Sequence, residues 1–98
     1  MLTVKTTDGF DIWLDGLCDR KAQRRIAARL RKFTFGLFGD VKPVGEGVSE
    51  AREHFGPGYR IYFTQRGKTL IVVLAGGDKS SQQSDIELAL KLARQLED

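Results

Sequence analysis

Residues 48–79 constrain the fold more than any other part of this chain. They read Val48-Ser49-Glu50-Ala51-Arg52-Glu53-His54-Phe55, a Gly56-Pro57-Gly58 break, then Tyr59-Arg60-Ile61-Tyr62-Phe63-Thr64. A second break, Gln65-Arg66-Gly67-Lys68, leads into the apolar run Leu70-Ile71-Val72-Val73-Leu74-Ala75 and then Gly76-Gly77-Asp78-Lys79. β-Branched and aromatic residues fill the runs, while glycine and proline fill the breaks, where backbone must turn. The punctuation predicts three antiparallel strands joined by two tight turns. The same stretch holds the single histidine and both tyrosines of the chain.

Side chains alternate across a strand. Ala51, Glu53 and Phe55 therefore share one face of the first strand, and Glu50, Arg52 and His54 share the other. In the next strand Tyr59, Ile61 and Phe63 oppose Arg60, Tyr62 and Thr64. The apolar face is expected to cover the N-terminal helices. The opposite face is expected to gather Arg52, His54, Arg60 and Tyr62. The run 70–75 is apolar on both faces, as a central strand is.

Upstream, residues 2–6 alternate apolar and polar residues and predict a short first strand. Thr7 or Asp8 can cap a helix carrying Phe10, Trp13, Leu14 and Leu17, and Asp19 can cap a second one over 20–35. Ala22, Ile26, Leu30, Phe33 and Leu37 make the apolar stripe of that second helix. Its remaining surface carries Arg20, Lys21, Arg24, Arg25, Arg29, Arg31 and Lys32, with no acidic residue between Asp19 and Asp40. Pairing along the helix therefore cannot neutralise this charge. The segment reads either as a solvated helix face or as a contact surface for nucleic-acid phosphates.

Glycines at 36, 39, 45 and 47, with Pro43, predict a loop with at most one short extended piece. After the strands, Ser80 or Ser81 is expected to cap a C-terminal helix, with Gln83 completing a capping box for Ser80. The apolar residues of that helix cover more than half its circumference. Leu88 and Leu92 are the excess, either packed under a neighbouring segment or serving as a partner-binding surface.

At 98 residues the chain has room for one core, so a single domain over 1–98 is expected. The net charge is +3, a mild hint of a polyanionic partner. A lone cysteine, Cys18, forms no internal disulfide, and with one histidine it makes no zinc set. These features favour the cytoplasm and a site without metal or other cofactor. The apolar run 70–75 is far too short to span a membrane, so no membrane partner is expected.

Cleavage of RNA by its own 2′-hydroxyl needs a base, an acid and cations to hold the charge that builds on phosphorus. Arginine stays charged and matches phosphate geometry, and histidine ordinarily titrates near neutrality. Arg52, His54, Arg60, Tyr62 and Lys79 would supply such a set. Taken singly, each also has an ordinary structural role open to it, such as pairing of Arg52 with Glu50 or Glu53. Convergence on one sheet face is what would make them a site.

The segments Glu50-Ala51-Arg52, Phe55-Gly56-Pro57-Gly58-Tyr59-Arg60-Ile61-Tyr62-Phe63 and Gly76-Gly77-Asp78-Lys79-Ser80 resemble the RelE/ParE superfamily of toxins. They are most similar to its phage-derived, HigB-like addiction module killer group. The resemblance spans nearly the whole chain. It implies an α+β, two-layer RelE-like fold ordered strand–helix–helix–three antiparallel strands–C-terminal helix. It also implies the toxin half of a type II toxin–antitoxin pair, neutralised by an antitoxin encoded by an adjacent gene. RelE-like members cleave mRNA on the ribosome, and ParE-like members poison DNA gyrase. By position, Arg60 matches the family's catalytic arginine, Lys79 its second cation and Arg52 a basic strand position. The basic second helix is similar to surfaces that dock on ribosomal RNA. The chain departs from the pattern in having no aromatic residue or histidine after Phe63. The general base is thus left open between His54 and Tyr62.

Overall fold

The computed structural model describes residues 1–96. The chain runs β1 (Thr3–Thr6), α1 (Asp8–Asp15), α2 (Arg20–Phe33), β2 (Val41–Gly45), β3 (Val48–Arg52), β4 (Arg60–Arg66), β5 (Leu70–Gly77) and α3 (Gln82–Gln95), with one 3-10 turn, Lys79–Ser81, leading into α3. The strands form one sheet in the order β1-β5-β4-β3-β2. β1 runs parallel to β5, and the other neighbours are antiparallel. The fold is α+β, with a five-stranded mixed sheet and three helices.

Three helix starts follow from short polar side chains. Thr7 accepts from the Phe10 backbone N–H, and Asp19 accepts from those of Lys21 and Ala22. The third cap is Asp78 rather than Ser80 or Ser81. Its carboxylate accepts from the Ser80 backbone N–H, and Ser81 completes the box in place of Gln83. Helix α2 stops at Phe33, so Leu37 lies beyond its last turn and is 62% exposed instead of ending the apolar stripe.

The one extended piece in the glycine-rich loop is β2, which pairs with β3 and makes four strands in succession before α3 where three were expected. β3 itself ends at Arg52. Glu53, His54 and Phe55 therefore sit on the connection to β4 and are free of strand alternation. Gly56 and Gly58, both at positive φ (55° and 78°), turn that connection back, a conformation that costs other residues dearly.

The architecture has three layers rather than two. On one face α1 and α2 bury Phe10, Ala22, Ile26 and Phe33 against Ala51, Ile61, Phe63, Ile71 and Val73. On the other, α3 lays Ala89 and Ala93 on Val48, Tyr62, Val72, Leu74 and Ala75. Each large apolar side chain so enclosed contributes about 1.5–3 kcal/mol. The face expected to stay open is thus covered, because the central strands are apolar on both sides and α3 supplies the second cover.

A bulge adjusts β5 to this double load. Tyr62 pairs with Ala75 and Phe63 with Val73, so Leu74 is an extra residue, and Leu74 and Ala75 both join the α3-side core. The Leu74 carbonyl accepts from the Thr7 hydroxyl at 2.8 Å, which ties the α1 cap to the bulge.

Candidate functional site

The cationic residues meet at one end of the sheet. Arg52, Arg60 and Gly77 stand opposite one another across β3, β4 and β5, and Lys79 follows two residues after Gly77. Two arginines in directly opposed positions repel each other unless anions lie nearby. Glu50 and Asp40 provide them. Glu50 Oε1 lies 3.8 Å from Arg60 Nε, and Asp40 Oδ1 accepts from Arg52 Nη2 at 2.8 Å.

Arg60 is only 5% exposed. Its Nη1 donates to the carbonyls of Tyr59 (3.1 Å) and Glu53 (3.2 Å), which fixes the guanidinium plane. The buried Nε atoms of Arg52 and Arg60 make no hydrogen bond among the described residues. Arg60 therefore reaches the sheet end as a held, largely desolvated cation.

Tyr62 is not part of an open surface. It is fully buried, its hydroxyl donates to Glu50 Oε2 at 3.0 Å, and Gln82 of α3 donates to the same oxygen at 2.7 Å. Burial, then the neighbouring Glu50 charge, pushes the phenol well above its ordinary value. A proton-transfer role for Tyr62 would require α3 to lift away, so the structure corrects its placement among solvent-facing candidates.

His54 does face solvent, with its side chain 64% exposed, and its Nε2 lies 2.5 Å from Asp40 Oδ2. Hydrogen bonds from Arg52 and then His54 hold the Asp40 carboxyl down to about 2. Asp40 was missed from the sequence because it lies in the loop before β2. The available signal was its position as the first acid after Asp19 in a strongly basic stretch.

Lys79 is exposed and makes no ion pair among the described residues. Its aliphatic stem crosses Gly58, where an added Cβ would come within 2.8 Å of Lys79 Cε. Adjacent Asp78 makes no ion pair with it; that carboxylate accepts instead from the Ser80 backbone N–H and hydroxyl.

Of the basic α2 residues, Arg20, Lys21, Arg24, Arg25, Arg31 and Lys32 are exposed. Arg29 is different. It is ion-paired with Glu53 and donates to the carbonyls of Arg52 (2.5 Å), Asp40 (2.8 Å) and Phe38 (3.0 Å). It fastens the loop bearing Asp40 to the end of β3, and so holds Asp40 beside Arg52. It therefore leaves the phosphate-facing set. On α3, Leu88 is 47% exposed while Leu92 packs against the core, so the two do not share an open patch.

This sheet end thus carries an exposed Lys79, a half-exposed Arg52 paired with Asp40 and an exposed imidazole, while Arg60, 5% exposed, adds its charge without an open contact face. Among the described residues no three His, Cys, Asp or Glu side chains gather into a metal-holding group, and no helix is long and apolar enough to cross a membrane. No protein-family model matches the chain. It is 43% identical over 95 residues to a Haemophilus influenzae protein described only as uncharacterized, an alignment spanning 97% of this chain and 96% of that protein. At that identity over nearly the full length of both, the chain belongs to the same family as the Haemophilus influenzae protein.

Proposed function

We propose that the chain is a RelE/ParE-like toxin of a type II toxin–antitoxin module, acting as a ribosome-dependent, metal-independent mRNA endonuclease. The observation that carries this reading is the Arg52–Arg60 row with Lys79 at the same sheet end, flanked by the His54–Asp40 pair. With Nε2–H donated to Asp40, His54 Nδ1 holds the lone pair that accepts the 2′-hydroxyl proton. The 2′-oxygen then bonds to phosphorus, and the 5′-oxygen leaves with a proton from solvent. Arg60 and Lys79 balance the charge on the phosphorane, and Arg52 positions the backbone. The exposed Arg20, Lys21, Arg24 and Arg31 of α2 face ribosomal RNA, and an antitoxin encoded by the adjacent gene blocks the protein.

Primer extension on mRNA incubated with ribosomes and purified protein tests this. New 5′ ends are expected, and Lys79→Ala, a change at an exposed side chain, should abolish them while antitoxin binding persists. Growth arrest on expression without any new 5′ ends would sink the nuclease.

The burial of Arg60 favours a second reading, a ParE-like inhibitor that grips DNA gyrase without chemistry. Accumulated gyrase–DNA cleavage complexes would support it. Harmless expression in the absence of antitoxin would instead mark a relative that only binds its partner.

A further inference from the structure

Helix α2 and the loop 36–40 enclose an open groove of about 740 Å³ on the molecule's surface. Its charge is unevenly spent. The two acids on its wall are already engaged, Glu53 by Arg29 and Asp40 by Arg52 and His54. Lys32 has no ion pair among the described residues, and Arg25 makes only a cation–π contact, 3.9 Å above the Phe55 ring. Both are exposed, so the unspent charge of the groove is positive. Beside them Leu37, cast off the end of α2, lines the groove with 62% of its surface in water.

We infer that this groove is a docking site for a protein segment that places an apolar anchor on Leu37 and carboxylates against Arg25 and Lys32. Charge complementarity selects an acidic occupant, and Leu37 separates protein from nucleic acid. A phosphodiester backbone would satisfy the two cations and leave the leucine bare. An amphipathic acidic segment covers it and gains the burial. The site borders Asp40 and the Arg29 clamp, so its occupant would lie against the loop that holds His54. The inference holds whichever chemistry operates at the sheet end.

A phage-displayed library of randomised helical peptides, selected against the full-length protein, tests this. Enriched peptides should combine acidic and apolar residues at helical spacing. Their binding should weaken by about tenfold or more in Leu37→Ser and in Lys32→Glu, both surface changes whose folding is checked by thermal unfolding. A 12-nucleotide RNA should compete poorly. Recovery of no peptides, of peptides without acidic residues, or of peptides indifferent to both substitutions would overturn the inference. So would RNA that binds the groove more tightly and depends on Leu37 and Lys32 equally.

Discussion

Arg60 Nε lies 3.8 Å from Glu50 Oε1 across neighbouring strands, with the two side chains only 6% and 2% exposed. Glu50 also receives the Tyr62 hydroxyl and the Gln82 amide, so one carboxylate joins β3, β4 and α3. Removing one member of a buried ion pair strands the other charge in a medium that solvates it poorly. Glu50→Ala should cost about 3–5 kcal/mol, measured by urea unfolding. A cost below about 1 kcal/mol would show that Arg60 reaches water more easily than its burial implies.

Tyr62→Phe separates packing from chemistry. The ring fills the same space under α3, and only the hydrogen bond to Glu50 goes. That loss should cost about 1–2 kcal/mol, with Gln82 still serving the carboxylate. The proposed mRNA cleavage should persist at near wild-type rate. Loss of cleavage in a folded Tyr62→Phe protein would restore Tyr62 as a catalytic residue.

Tyr62 also shows how far the sequence could be read. Strand alternation put it opposite Ile61 and Phe63, which is where it lies. Alternation cannot say whether a face meets water or another helix. The sign of a second cover lies in residues 70–75, apolar on both sides, and in the broad apolar surface of the last helix. Putting those together requires knowing that α3 crosses β4 and β5. His54 failed differently. Its face was assigned from strand periodicity, but β3 ends at Arg52 and a turn sets its direction. Arg29 looked like every other cation on α2, and only tertiary contact with Glu53 distinguishes it. Caps and turns, fixed by neighbours in sequence, were the most legible: Thr7, Asp19 and the Gly56-Pro57-Gly58 turn. The third cap falls at Asp78 instead of Ser80 or Ser81, because an aspartate serves that role as well as serine.

Gly76 gives a packing prediction with its own reporter. A Cβ at this position would lie 2.3 Å from Trp13 Cε3, so the bare backbone of β5 is what lets the indole lie flat against the sheet. Gly76→Ala must push Trp13 aside and disturb its contacts with Phe10 and Tyr59, whose rings lie 5.6 and 6.1 Å away. Such overpacking typically costs about 1–3 kcal/mol. Trp13 is the only tryptophan in the chain, so its fluorescence should shift to the red as it gains solvent. An unchanged emission spectrum with unchanged stability would mean that α1 yields at no cost.

Asp40 sets an acid limit on the site. Its carboxyl is held at about 2 in the folded chain against an ordinary 3.8, by the Arg52 hydrogen bond first and His54 second. The folded state therefore binds fewer protons than the unfolded one between those values, and stability falls as pH drops through that window. Its contribution is fully present above the ordinary carboxylate range and is lost as the folded group protonates. Glu46, paired with Arg94, and Asp78, bonded to Ser80, are lowered as well, so among the described residues Asp40 shares the acid limb with both. Asp40→Asn should flatten that limb without removing it, leaving the part due to Glu46 and Asp78. Urea midpoints followed from neutral pH down to about 2 would show this. An unaltered slope would mean that solvent screens the pair completely at this exposed position. Because the same carboxylate orients both Arg52 and His54, Asp40→Asn should also lower the proposed mRNA cleavage at neutral pH, assayed on protein shown to be folded.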